Sequence, residues 1–183
     1  SLVGSEMCIR DSAIPYTGMI ITARESAKLR NKLIPFGCTQ ADASSCITIG
    51  GYSSTNKTNQ KDGNITTRQD GSTQQFYLGD TRTLDELVRD LAKMGFITSF
   101  CTAGYRCGRT GNKIMTLLKT GKEGCFCKLN AAITFREWLD DFASEETKKI
   151  GEELIKKEIE EIKLKMPKFF NRFENYYLRT LQG

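Results

Sequence analysis

Histidine is missing altogether from the 183 residues, while proline occurs only three times and tryptophan once. Without an imidazole, His-based zinc sites and Ser–His or Cys–His nucleophile pairs are excluded. No apolar run approaches the roughly 20 residues that cross a bilayer as a helix, so no membrane partner is expected. The net charge of +5 is spread over a mixed-sign surface and gives no expectation of nucleic acid. The first residues lack the basic start, long apolar stretch and small-residue cleavage site of a secretory leader. At 39% apolar and 27% charged, the chain has the composition of ordinary globular protein and about one domain's length.

What the chain has instead is thiol, with seven cysteines. Cys101 and Cys107 lie in "FCTAGYRCG", and Cys125 and Cys127 in "GCFCK". Clustered thiols without a secretory leader favour a reducing compartment, where they bind metal more often than they form disulfides. A zinc or iron-sulfur site needs three or four soft ligands converging from loops. The usual CxxC knuckle is absent here, because Gly104 stands three residues after Cys101. The CxC pair of Cys125 and Cys127 shares a site only if the backbone turns sharply. Spacing leaves three readings open: a metal or cluster site, inert buried cysteines, or a redox pair.

The chain falls into stretches of distinct character. Residues 1–12, "SLVGSEMCIRDS", read as translated sequencing-library adapter and are set aside with Cys8. A short strand is expected over Thr17 to Thr22, then a helix to about Ile34 opened by a Thr22/Glu25 capping box and stopped by Gly37. Thr39 to Ser44 is expected as a second strand. Residues 53–75 carry Ser, Thr, Asn, Gln and Gly without an apolar face and read as an exposed loop. Thr83 and Glu86 form a second capping box, before a helix whose apolar face is Leu84, Leu87, Val88, Leu91 and Met94. Gly95 ends it, and Phe96 to Phe100 is expected as a buried strand. Gly79, Gly108 and Gly111 read as turn glycines. Asp80 reads as a turn or cap residue, or as a brace with Arg82. Arg106 and Arg109 read as surface cations or as neutralisers of an anionic cluster. Thr134 and Glu137 are expected to open a short helix, and Ser144 precedes a long one with a solvated Glu/Lys face that Pro167 breaks. The aromatic residues of 167–183 are expected to pack back on the domain.

Three stretches carry a family resemblance: "AIPYTGMIITARESAKLRNKL", "FYLGDTRTLDELVRDLAKMGFITSFCTAGYRCGRTG" and "NAAITFREWLDDFASEETKKIGEELI". They resemble the carboxyl-terminal part of the FeFe-hydrogenase maturases, radical S-adenosylmethionine tyrosine lyases related to a thiamine-pathway enzyme. The resemblance implies an α/β fold: the end of a radical S-adenosylmethionine TIM-type barrel over residues 13–100, then a helical auxiliary-cluster domain. That domain, of the biotin and thiamin synthesis-associated kind, would cover 101–166, with an aromatic-rich tail over 167–183. The implied reaction cleaves tyrosine to p-cresol and dehydroglycine, then converts dehydroglycine to carbon monoxide and cyanide bound on iron for the hydrogenase active site. The implied partners are the tyrosine-derived substrate and other hydrogenase maturation proteins, in cytoplasm or a hydrogen-producing organelle.

The same resemblance implies two cofactors. The CxxxCxxC loop that holds the radical-initiating cluster and uses S-adenosylmethionine lies outside these 183 residues, so the chain alone is expected to be inactive. The auxiliary 4Fe-4S cluster is held in the family by C-x2-C-x22-C, which falls on Cys101, Gly104 and Cys127. Glycine donates nothing, so Cys107 or Cys125 is the candidate substitute. A family pattern G-S-R-T-x-x-G-G-Y meets "SSCITIGGY" here, matching Ser45 as a substrate-binding residue while Cys46 replaces an arginine suited to a carboxylate. The alternative is a non-catalytic module whose thiols bind structural zinc.

Overall fold

The structure is a computed structural model that describes residues 18–45, 77–100, 112, 116 and 124–181. The chain divides into two compact units, Ser1–Leu87 and Val88–Gly183, with the division inside a helix.

The first unit is built on a strand–helix–strand unit. Strand β1 is Met19–Ile21, and a turn follows in which the Glu25 N–H donates to the Thr22 carbonyl at 3.2 Å. Helix α1, Ala27–Leu33, starts at Ser26, whose hydroxyl accepts the Leu29 N–H. The expected Thr22 cap is therefore corrected: Thr22 opens the turn, and Ser26 is in the extended conformation that an N-cap needs. A 3-10 turn over Ile34–Phe36 ends at Gly37, whose φ of 103° stops the helix as expected. Strand β2, Cys38–Ala41, returns parallel to β1, with Ile20 opposite Gln40 and Ile21 opposite Ala41. Parallel pairing requires such a crossover, and α1 supplies it. These two strands form the only sheet among the described residues; they do not form a barrel.

Helix α2, Leu84–Lys93, opens with the expected box: the Thr83 N–H donates to a Glu86 carboxylate oxygen at 2.8 Å, and the Glu86 N–H donates to the Thr83 hydroxyl at 3.2 Å. Its inner face is Leu87, Val88 and Ala92, while Leu84 and Met94 at the ends stay exposed. At its carboxyl end the Phe96 N–H reaches the Leu91 carbonyl and the Gly95 N–H the Ala92 carbonyl, with Gly95 at φ 87°. This is a Schellman closure. The expected buried strand over Phe96 to Phe100 is not a strand. Phe96 is 37% exposed, and Phe100 stacks on Trp138 with ring centroids 5.1 Å apart. The segment is thus fixed by side-chain packing instead of by a ladder.

The second unit is helical. Helices α3, Gly124–Phe142, α4, Glu145–Lys165, and α5, Pro167–Leu181, share one apolar core. Phe135 and Leu139 of α3, Ile155, Ile159 and Ile162 of α4, and Phe170 of α5 are all buried. A helix opening at Thr134 is not found, because α3 already runs through that point and the Thr134 hydroxyl bonds back to the Asn130 carbonyl at 3.0 Å. Ser144 caps α4 through the Thr147 N–H, and Pro167 occupies the first position of α5, where its missing N–H costs nothing. Gly151 lets α4 approach α3, since a Cβ there would meet Leu139 Cδ1 at 2.5 Å. The charged face of α4 does more than meet solvent. Glu152 pairs with Arg136 at 3.0 Å and Glu158 with Lys128 at 2.9 Å, so the charges also bridge α4 to α3. No helix among the described residues is long and apolar enough to cross a membrane.

Candidate functional site

In parallel α/β folds, binding groups gather beyond the carboxyl ends of the strands. Here Ala23 and Asp42 follow β1 and β2, and the two are joined there: the Ala23 N–H donates to Asp42 Oδ1 at 2.8 Å. The Ser45 hydroxyl donates to Asp42 Oδ2 at 2.7 Å. From beneath, Arg30 of α1 donates through Nη2 to the Asp42 carbonyl, and that nitrogen lies 3.6 Å from Oδ1. Arg30 is 1% exposed, so its charge requires a partner inside the unit. The partner is Asp80, whose Oδ2 accepts from Arg30 Nη1 at 2.5 Å.

Asp80 in turn accepts from Arg82 Nη2 at 2.7 Å and from the Arg82 backbone N–H at 3.1 Å, while Arg82 Nη1 donates to Asn31 at 3.1 Å. Both sequence readings of Asp80 are found: its carboxylate accepts the backbone N–H two residues on, as a turn residue does, and it pairs with the Arg82 side chain. Burial acts to raise the Asp80 pKa, but the hydrogen bonds from Arg82 and Arg30 and the Arg82 charge outweigh it and hold the carboxyl below its usual value. Gly79 allows this docking by close approach and has no positive φ: a Cβ there would sit 2.6 Å from the Arg24 carbonyl oxygen.

Ser44 completes the arrangement. Its φ is 54°, which a residue with a side chain adopts rarely. The Ser44 N–H donates to the Arg82 carbonyl at 3.3 Å, and the Leu84 N–H donates to the Ser44 hydroxyl at 3.0 Å. The strained turn thus fixes the direction in which the chain enters Ser45. The result is a hydroxyl–carboxylate pair of set geometry, suited to orienting a small polar ligand.

The thiols are placed differently. Cys127 is exposed on α3, as its fourth residue. Cys125 is on the same helix, and at about 100° per residue the two positions lie about 200° apart around the axis. The sharp turn that would let CxC share one ion is absent, because the backbone there is helical. Cys101, Cys107, Cys46 and Gly104 lie outside the described residues, as do Gly108, Gly111, Arg106 and Arg109. Among the described residues no three metal-ligating side chains converge. The residues that sequence reasoning passed over are Asp42 and Arg30. Asp42 was absorbed into an expected strand, and the polar step "QAD" after an alternating stretch was the available signal.

Residues 7–97 match the Biotin and Thiamin Synthesis associated domain. The match falls on that segment, whereas the resemblance had placed this domain at 101–166. A crystal structure of HydG, a maturase of the FeFe-hydrogenase, is 35% identical with a TM-score of 0.78, over 97% of this chain and 35% of that one. The X-ray structure of the FeFe-hydrogenase maturase HydG from Carboxydothermus hydrogenoformans is 29% identical with a TM-score of 0.59, over 94% of this chain and 32% of that one. The chain therefore spans about a third of the length of the proteins it matches. No curated protein matches it.

Proposed function

We propose that this chain, HydG-like over 97% of its length, is a segment of a radical S-adenosylmethionine lyase that matures FeFe-hydrogenase. The whole enzyme would cleave tyrosine to p-cresol and dehydroglycine and convert the latter to carbon monoxide and cyanide on iron. The observation that carries this reading is the agreement in structure over 97% of the chain at 35% identity. Its setting would be the cytoplasm or a hydrogen-producing organelle, with the other hydrogenase maturation proteins as partners.

The unit Val88–Gly183 would hold the auxiliary cluster. Cys127 fits a ligand's role, because it is exposed on α3. Cys101 is the second ligand. The third is Cys107 in preference to Cys125, since the helix separates Cys125 from Cys127. When bound, the cluster supplies redox-active iron. The chain's own residues supply thiolates there and hydrogen-bonding groups at Ser45 and Asp42.

The test is anaerobic reconstitution of the full chain with iron and sulfide, followed by low-temperature electron paramagnetic resonance. A cluster signal is expected in the parent chain and lost in Cys101→Ser, Cys107→Ser and Cys127→Ser. A signal that survives Cys107→Ser moves the third ligand elsewhere. A colourless protein that binds zinc through the same thiols would replace the lyase reading with a structural metal module.

A further inference from the structure

We propose that the elbow between α4 and α5 is a docking surface for an acidic segment of a partner protein, with Leu164 as its apolar anchor and Lys163, Lys168 and Arg172 as its cations. This goes beyond the reading above and does not depend on it.

The inference begins with the distribution of charge along two helices. Residues 145–162 carry seven carboxylates and four lysines, whereas residues 163–172 carry four cations and no carboxylate. Their partners divide these four cations. Lys165 turns back to Glu161 at 2.6 Å. Lys163, Lys168 and Arg172 make no ion pair among the described residues. Lys163 Nζ lies 4.9 Å from the centroid of the Phe170 ring, so the last turn of α4 places a cation beside α5. The Arg172 guanidinium lies 5.6 Å from the Phe173 ring. Such ring contacts steady a cation without neutralising it.

Helical geometry turns these residues outward. At about 100° per residue, Leu164 lies about 200° round α4 from buried Ile162, and Lys168 and Arg172 each lie about 200° round α5 from buried Phe170. Leu164 is 82% exposed, more than any other large apolar residue among the described ones. A lone exposed leucine carries no meaning, but this one stands between Lys163 and Lys168 at a junction where Met166 alone joins the helices. Lys168 and Arg172 are one turn apart, about 6 Å along the axis, which is also the spacing of carboxylates at i and i+4 of a partner helix. Burial of Leu164 would supply affinity, and the cations would select an acidic partner. The carboxylates of residues 145–162 precede the patch along α4, so a continuous polyanion such as RNA or an anionic bilayer would be repelled where a short acidic segment is not.

The experiment is fluorescence anisotropy of the full chain with a labelled helical peptide that carries Glu at i and i+4 and Leu between them on one face. The same peptide with Gln for Glu is the comparison. The acidic peptide is expected to bind about tenfold or more tightly at low salt, and the preference should shrink as salt rises. Lys168→Glu with Arg172→Glu is expected to abolish the preference, with thermal unfolding unchanged because both side chains are exposed. Leu164→Ala should weaken both peptides alike and keep their ratio, since it removes apolar contact and no charge. Lys149→Glu makes the same charge change as Lys168→Glu, about 20 Å along α4 from Leu164, and should leave binding unchanged. Equal losses in Lys149→Glu and Lys168→Glu would mean diffuse attraction to the whole chain and would overturn the site. Equal binding of the two peptides, or binding of neither, would overturn it too. Tighter binding of single-stranded RNA or of phosphatidylserine vesicles than of the acidic peptide would replace the protein partner with that one.

Discussion

Arg30 shows how little a single residue's setting can be read from its neighbours. It sits in "AKLRNKL" among lysines, where any pattern argument assigns it to solvent, yet it is 1% exposed. What buries it is Asp80, fifty positions away, and that contact depends on Gly79, where a Cβ would sit 2.6 Å from the Arg24 carbonyl oxygen. Removing one partner of a buried ion pair leaves an unpaired charge, so Asp80→Ala should cost about 3–5 kcal/mol in urea unfolding. The pair also sets a pH dependence. The folded pKa of Asp80 is lowered, so the unfolded state binds more protons as acidity rises. Its stabilisation is full above the unfolded value near pH 4 and is lost as pH falls through the lower folded value. Asp140 behaves alike: burial acts to raise its pKa, and Lys148 and Arg136 more than offset that. Asp80→Asn should therefore flatten part of the acid-unfolding curve below pH 4 and leave the Asp140 part in place. An unchanged acid limb in that variant would refute the assignment.

At the scale of elements, a Thr with Glu three residues on marked a helix start correctly once in three uses, and the reasons are physical. Thr83 and Glu86 close the box because Asp80 to Arg82 is docked and non-helical before them. Thr22 and Glu25 have the same spacing, but Ser26 is a competing cap and the chain turns first. Thr134 and Glu137 fail because apolar positions from Leu129 onward already commit α3 to helix. Periodicity located α2, α4 and the packing of α5 correctly, since each buries one face in a local core. The Phe96 to Phe100 stretch misled because aromatic and β-branched residues favour strands only where a neighbour pairs with them. Thr83→Ala should lower stability by about 0.5–2 kcal/mol, the usual worth of an N-cap. Thr134→Ala should be neutral or stabilise by a few tenths of a kcal/mol, because it removes a hydroxyl from a helix interior and improves propensity. Matching losses in the two variants would mean that Thr134 has a role beyond the bond to Asn130.

For the molecule as a whole, the residues of the two sites proposed for the enzyme fall in different units. Asp42 and Ser45 lie in Ser1–Leu87, while Cys101, Cys107, Cys125 and Cys127 all lie in Val88–Gly183. The thiols stand out in the sequence by their clustering, but their spacing alone left metal, inert and redox readings open. The hydroxyl–carboxylate pair was half legible: Ser45 could be matched to a pattern, whereas Asp42 gains its role only from the strand ends that the fold brings together. Separate placement has a measurable consequence, because a ligand stabilises the segment whose native state binds it. In amide hydrogen exchange of the full chain, cluster reconstitution should slow exchange in the early turns of α3 and leave β1, α1 and β2 unchanged. Tyrosine should do the reverse, slowing exchange around residues 38–45 without protecting α3. Cluster loading that protected β1 and β2 as strongly as α3 would put iron ligands in Ser1–Leu87, and the assignment of Cys101, Cys107 and Cys127 would fail. Protection by tyrosine confined to α3 would remove Asp42 and Ser45 from ligand binding, because the Ala23 N–H bond to the Asp42 carboxylate and the Ser44 N–H bond to the Arg82 carbonyl are the ones a bound ligand would hold closed.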